Sequence, residues 1–343
     1  MDNKLNILLT GASGSVGSEV LKQLHRQKEQ FNITVFDVKT RSTEKKYKPY
    51  KNSVEIVYGD ISKAKDVKFV CKGKDIIIHL AAIIPPLADD KPELAHKVNT
   101  IGTENLIKSL EKHSPNCFFL YSSSISVYGD RLKNPMITVD DPLLPSEGDE
   151  YAKTKIAAEK IIKQSKLDWS IFRLSAIMGN HKMSKLMFHQ PLDTLMEIAT
   201  PEDTARAFVH AIDKKHQISK QIFNLGGGEQ CCINYRDFLS RSFSIFGLGK
   251  PNFPPKTFAE KNFHCGYYKD GYDLEQILHF RKDTLESYFA KERLKTAWWK
   301  KKLTFVFKTI IKKHLLKQSE PYQAYKLNDK KQFAHFFNPL STQ

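Results

Sequence analysis

Tyr151 and Lys155 stand four residues apart at the start of a helical pattern, downstream of a run of three serines, Ser122-Ser123-Ser124. On a helix that spacing puts a phenol and an ammonium one turn apart on the same face. Taking a proton from an alcohol while hydride leaves its carbon requires a base that works near neutrality. A free tyrosine titrates near pH 10, about three units too high to be mostly ionised at pH 7. A neighbouring ammonium favours the phenolate. Tyr151 is therefore the candidate acid/base and Lys155 the group that lowers its pKa. Ser124 is placed to hydrogen-bond the substrate oxygen and steady its developing charge. The bland alternative is a helix that merely contains Tyr and Lys at this spacing.

Such chemistry needs a hydride acceptor, and the N-terminus offers a place to hold one. The apolar run Asn6-Ile7-Leu8-Leu9 meets Thr10-Gly11-Ala12-Ser13-Gly14-Ser15-Val16-Gly17 and passes into the helical pattern of Val20, Leu21 and Leu24. Strand, glycine turn and helix present backbone N–H groups to a pyrophosphate. The first glycine allows the tight turn, the second clears the phosphate path, and the third lets the helix close on the sheet. Gly11, Ser13, Gly14, Ser15, Val16 and Gly17 are thus candidate dinucleotide ligands. A second strand, residues 33–37, ends in Asp37 twenty residues after Gly17, where a carboxylate can bond both ribose hydroxyls. Asp37 repels a 2′-phosphate and favours NAD, with Lys39 and Arg41 close enough to leave NADP open. Lys155 would also hold the nicotinamide ribose, and the positive ring would further favour the Tyr151 phenolate.

The remaining strands read in order as residues 54–60, 74–82, 117–121, 169–174 and 221–225. Helices fall between them over residues 94–110, 151–162 and 201–212, with a further one over residues 235–246, while residues 130–149, with Pro135, Pro142 and Pro145, read as a loop. Strands alternating with helices predict an α/β protein with a Rossmann-like, doubly wound parallel sheet. Ligands bind outside the carboxyl ends of such strands. Asp37, Asp60, Ala81 and Ser124 all fall there.

These motifs together resemble the extended short-chain dehydrogenase/reductases, the NAD-dependent epimerase/dehydratase group, from residue 5 to about residue 246. Five marks carry the resemblance: the glycine turn; Gly59-Asp60; His79-Leu80-Ala81-Ala82; Asn99-Thr100-Ile101-Gly102-Thr103-Glu104-Asn105-Leu106; and the serines followed by Tyr151 and Lys155. The resemblance implies that Asp60 and the adjacent Ile61 contact adenine, and that the backbone of Leu80, Ala81 and Ala82 lines the pyrophosphate side. It also implies that Asn99 supports the active-site helix at the cofactor. Departures narrow the activity. Ser124 is followed by Ile125-Ser126-Val127 and not by the Asp-Glu pair of sugar-nucleotide 4,6-dehydratases. The Asn-Pro and later arginine of nucleotide-sugar epimerases are missing around Arg173-Leu174-Ser175-Ala176 and over residues 183–195. The pattern lies nearer the reductase and 3β-hydroxysteroid-dehydrogenase-like members, acting on a secondary alcohol or ketone. A nucleotide-sugar epimerase with tightly held NAD and a non-catalytic dinucleotide sensor are the alternatives.

At 343 residues and 41% hydrophobic content, the chain fits one nucleotide-binding domain, residues 1–246, with a C-terminal substrate-side region, residues 247–343. Five cysteines without a C-x-x-C pair suit a reducing compartment, and Cys231-Cys232 reads as two small buried or strand-edge residues. Met1-Asp2-Asn3-Lys4 leads straight into a core strand, so a cytoplasmic protein without a signal peptide is expected. From Lys250 onward there are 19 Lys/Arg against 9 Asp/Glu, so most of the net charge of +16 belongs to the tail. Within residues 294–317 no acid occurs, and Trp299, Leu303, Val306, Phe307, Ile310 and Ile311 share one helical face, with Phe305 on the polar side. A basic amphipathic helix of this kind can lie on an anionic membrane surface. The competing reading packs the stripe on its own domain or on a second subunit, which leaves a homodimer open. The lysines interleave with aliphatics and no nucleic-acid module is recognisable, so nucleic acid is the weakest partner reading.

Overall fold

The structure, a computed structural model, describes residues 4–179 and 183–338. The expectation that rests on Met1-Asp2-Asn3 lies outside the described residues.

Seven parallel strands form the main sheet. In spatial order they are Gln221–Leu225, Asp168–Leu174, Phe118–Ser124, Ile76–His79, Leu5–Thr10, Phe31–Asp37 and Glu55–Tyr58. Every neighbouring pair runs parallel. The chain order therefore reverses between Leu5–Thr10 and Ile76–His79, and a crevice opens at the carboxyl end of that switch point. Alternate side chains along the first strand point to opposite faces, as a strand's period of two requires. Ile7 and Leu9 join a core with Val35, Ile78, Leu120 and Phe172. Leu8 joins a second core with Phe36, Ile77, Phe119 and Ile171 on the other face. Both faces are thus covered, which is why Ile76-Ile77-Ile78 is apolar without alternation.

The boundaries expected from sequence are met closely for Gln221–Leu225 and Tyr235–Phe246, and within a few residues for the other strands. Two segments differ. The helix expected over residues 94–110 is broken into Pro92–Ala95, a π-helical turn His96–Ile101, and Gly102–His113. The wide turn gives Asn99 a place facing the active-site helix, a use typical of π-bulges. The loop over residues 130–149 contains a two-residue strand, Met136–Ile137, paired in parallel with Tyr267–Tyr268. A smaller sheet joins Cys232–Asn234, Leu195–Ala199 and Ala176–Ile177, with Cys231 buried and Cys232 at the strand edge.

Beyond Phe246 the chain packs back on the main body. Helix Gly271–Leu278 contributes Leu274 and Leu278, and the following turn Phe280, to the first core. Four further helices follow: Leu285–Lys295, Trp298–Lys317, Glu320–Lys326 and Lys330–Phe336. Among the described residues no helix is long and apolar enough to cross a membrane.

Candidate active site

The first strand ends at Gly11, whose φ of +71° is open to glycine at little cost. A Cβ there would lie 2.6 Å from the Ala81 amide nitrogen. Glycine is what lets the ends of the first and fourth strands close on each other. The turn is tied by Gly14 N–H donating to the Gly11 carbonyl at 3.0 Å. Helix Ser15–His25 then starts from Gly14 with no side-chain cap and no acid in its first turn. Its first N–H groups, on Ser15, Val16 and Gly17, have no partner within the helix and are free to receive an anion.

Beside this turn lies a cleft of about 260 Å³ lined by Gly11, Ser13, Gly14, Asp37, Asp60, Ile61, Leu80, Ala81 and Ala82. A glycine cradle at a helix N-terminus, with a carboxylate at the next strand end, fits a dinucleotide.

Asp37 does not stand alone. Its Oδ2 accepts the Tyr47 hydroxyl at 2.5 Å and the Ser13 amide at 3.3 Å, and its Oδ1 accepts the Val38 amide at 2.8 Å. Lys46 donates to the Ser13 carbonyl at 2.5 Å. Tyr47 and Lys46 come from helix Arg41–Tyr47, capped by the reciprocal Thr40–Thr43 pair. Asp60 accepts the Ser62 amide at 3.0 Å and hydroxyl at 2.7 Å. Partial burial pushes its carboxyl up, but the Ser62 bonds and Lys63 outweigh this and hold it below the usual range.

His79, at the end of the fourth strand, is buried between two hydroxyls. Thr10 Oγ1 lies 2.7 Å from Nδ1 and Thr103 Oγ1 lies 3.0 Å from Nε2. Burial, helped by the Lys155 charge, pushes its pKa down to about 3. Between the ordinary imidazole value of 6.5 and about 3, the unfolded chain binds a proton that the folded chain refuses. Stability therefore falls as pH falls through that window. The His79→Gln variant will show a shallower fall in Tm below pH 6.5 than the wild type; equal slopes would remove His79 as the cause.

Asn99 lies behind the cleft. Its Oδ1 accepts the Ile83 amide at 2.7 Å, and its Nδ2 donates to the Ile83 carbonyl and to Thr154 Oγ1, both at 2.9 Å. One amide thus clamps the strand-end loop to the Tyr151 helix, and its polar atoms bond protein groups.

Helix Glu150–Gln164 begins at Asp149, whose carboxylate caps the Ala152 amide at 2.8 Å and pairs with His264 at 3.0 Å. One turn on, Lys155 is buried, and its Nζ donates to the Ser122 carbonyl at 2.7 Å. The ammonium lies 5.6 Å from the Tyr151 ring centre and 4.7 Å from that of Tyr121. Ser124, at the end of the fifth strand, stands beside the Tyr151 side chain and lowers its pKa, so serine, tyrosine and lysine meet at one strand end. Burial raises the Tyr151 pKa, the Ser124 hydroxyl lowers it, and the Asp149 charge raises it. Lys155 is pushed down to about 7 by burial, with Glu159 acting in the opposite direction.

Glu159, one further turn along, escaped the sequence reading. It forms a two-point ion pair with Arg173, Nε to Oε1 at 3.0 Å and Nη2 to Oε2 at 2.8 Å. It also accepts the Ser123 hydroxyl at 2.5 Å. Arg173 reaches on to the Tyr128 hydroxyl at 2.7 Å and the Val139 carbonyl at 2.9 Å. A residue pair fourteen positions apart on a helix and a strand leaves no periodic signal. The one available hint was an arginine among the buried residues of strand Asp168–Leu174.

Residues 8–171 match the 3-beta hydroxysteroid dehydrogenase/isomerase family. The match covers just under half of the chain. Mouse 3 beta-hydroxysteroid dehydrogenase type 7 is 26% identical over 162 residues, 46% of this chain and 44% of that protein. A dTDP-glucose 4,6-dehydratase from Mycolicibacterium smegmatis is 30% identical over 165 residues, 46% of this chain and 48% of that protein. The chain thus spans about half the length of these curated relatives. Solved structures cover much more. Pal from Bacillus thuringiensis superposes with a TM-score of 0.71 at 22% identity, covering 87% of this chain and 100% of that one. DesIV, a dTDP-glucose 4,6-dehydratase from Streptomyces venezuelae solved with NAD and TYD bound, gives 0.71 at 20% identity, covering 86% and 98%. The fold shared with these structures therefore extends well past the half that the curated sequences match.

Proposed function

We propose that the chain is an NAD-dependent oxidoreductase that moves hydride reversibly between a secondary alcohol or ketone and the nicotinamide. The observation that carries this reading is the convergence of Ser124, Tyr151 and a Lys155 ammonium fixed on the Ser122 carbonyl. NAD supplies the hydride acceptor when bound. The Ser15, Val16 and Gly17 amides would hold its pyrophosphate, Asp37 its adenosine ribose, and Asp60 with Ile61 its adenine. Tyr151 would take the alcohol proton at its phenolic oxygen, and Ser124 would orient the substrate oxygen. Lys155 would bind the nicotinamide ribose and favour the phenolate against the burial that opposes it. Solved neighbours crystallised with NAD support the coenzyme assignment.

The substrate reading rests on charge. A cavity of about 480 Å³ at the N-terminus of the Tyr151 helix is lined by Asp89, Asp90, Glu147, Asp149 and Glu320 against Lys185, Lys331 and the histidines His189, His264 and His335. An excess of acids repels a nucleotide diphosphate and favours an uncharged substrate. The test is a screen of steroid, small ketone and sugar-nucleotide substrates with both nicotinamide forms. Turnover of neutral ketones is expected. NAD retained through purification, with interconversion of a sugar nucleotide and no net coenzyme reduction, would establish the epimerase instead.

Coenzyme preference is to be read at Asp37. Asp37→Ser removes the charge facing a 2′-phosphate while Lys46 remains nearby. The ratio of NAD to NADP efficiency is expected to fall by about tenfold or more, an energy of about 1.4 kcal/mol. An unchanged ratio would remove Asp37 from the ribose site.

A further inference from the structure

Most of the apolar stripe of helix Trp298–Lys317 is not packed on its own domain. Trp299, Leu303, Val306 and Ile310 are 53%, 53%, 72% and 65% exposed. Trp298, one turn-edge away, is 70% exposed and Phe307 46%. The body is met by the adjacent face, which takes in Ile311 at the edge of the stripe. Leu315 is buried there and Ile311 packs partly against Phe188, Phe243 and Leu248. Lys312 ties the helix down through the Lys250 carbonyl at 2.6 Å and Asn252 Oδ1 at 2.7 Å. Several bulky apolar side chains in line on one helix form a patch that a monomer rarely leaves to water.

Seven lysines and no acid lie on this helix. A second copy docking through the same stripe would bring both sets of lysines together, and like charges across an interface are costly. An anionic lipid surface accepts the aliphatic side chains and the lysines at once. The two tryptophans at the helix start are the residue type favoured at the headgroup level. Lys302 and Lys300 lie 5.0 Å and 5.4 Å from the rings of Trp298 and Trp299, so the charges follow the aromatic edge of the patch.

We infer that helix Trp298–Lys317 is a docking surface for an anionic membrane, entered by the Trp299, Leu303, Val306 and Ile310 face with the flanking lysines on the headgroups. The inference is independent of the catalytic reading. It is tested by sedimenting the full chain with vesicles of phosphatidylcholine alone and of phosphatidylcholine mixed with phosphatidylglycerol. The variant L303E/I310E changes two exposed side chains, and its Tm reports that the fold is kept. The wild type is expected to partition at least about tenfold more strongly onto the anionic vesicles, and the variant to lose that gain. Equal partitioning of wild type and variant, or of the two lipid compositions, overturns the inference. So does a wild-type dimer in solution that the variant dissolves while neither protein binds vesicles.

Discussion

Tyr151→Phe lowers kcat/KM by about a hundred- to ten-thousand-fold, the usual worth of a positioned acid/base. The substitution removes one hydroxyl and keeps the ring, so the helix and its neighbours stay in place. Coenzyme affinity, measured by titration calorimetry on the same protein, is expected to change little because the dinucleotide cradle is built from other elements. The split matters more than the size. A loss confined to turnover identifies the phenol as the group that moves the proton. Full activity in the variant would abandon the catalytic reading and favour a dinucleotide-sensing protein.

Glu159→Gln is expected to cost about 3–5 kcal/mol of stability, because it leaves the buried Arg173 guanidinium without its counter-charge. Both side chains are almost fully enclosed, at 1% and 3% exposure, so water cannot compensate. The Ser123 hydroxyl keeps an acceptor in the amide, which makes the lost charge the main change. The midpoint of urea unfolding reads the loss, and replacing both partners by apolar residues in E159L/R173L should recover part of it. A second readout concerns Lys155. Glu159 supports its protonated form, so the variant should drive the lysine pKa below about 7. The limb of the pH–rate profile assigned to that lysine then moves to lower pH. A stability loss under 1 kcal/mol would mean that the pair is open to solvent.

The sequence pattern was most legible where local signals agree. Asn6-Ile7-Leu8-Leu9 followed by the glycine turn defines its strand, turn and helix from a dozen residues. Gln221–Leu225 and Tyr235–Phe246 carry clear apolar periods and sharp stops, and they match residue for residue. Asn99 was harder. Residues 94–110 carry an unbroken helical pattern, because a π turn inserts one extra residue without changing composition. The groups around Asp37 and Lys155 were hidden for a different reason. Tyr47, Lys46, Glu159 and Arg173 reach their partners through tertiary folding, and neither spacing nor periodicity reports contacts made that way. The tail gave its stripe away, but which face it buries depends on packing against Phe188 and Phe243, which only the structure shows.

The return of Gly271–Phe280 to the main core has a consequence for biosynthesis. Leu274, Leu278 and Phe280 close the same core as Phe208, Ile212 and Leu225. Asp203 and His210 bond backbone groups at Lys282, Asp283 and Leu278. A nascent chain that has emerged only as far as Phe246 therefore holds an open seam along strand Gln221–Leu225 and helix Pro201–His210. The seam can close only once the segment through Asp283 has left the ribosome.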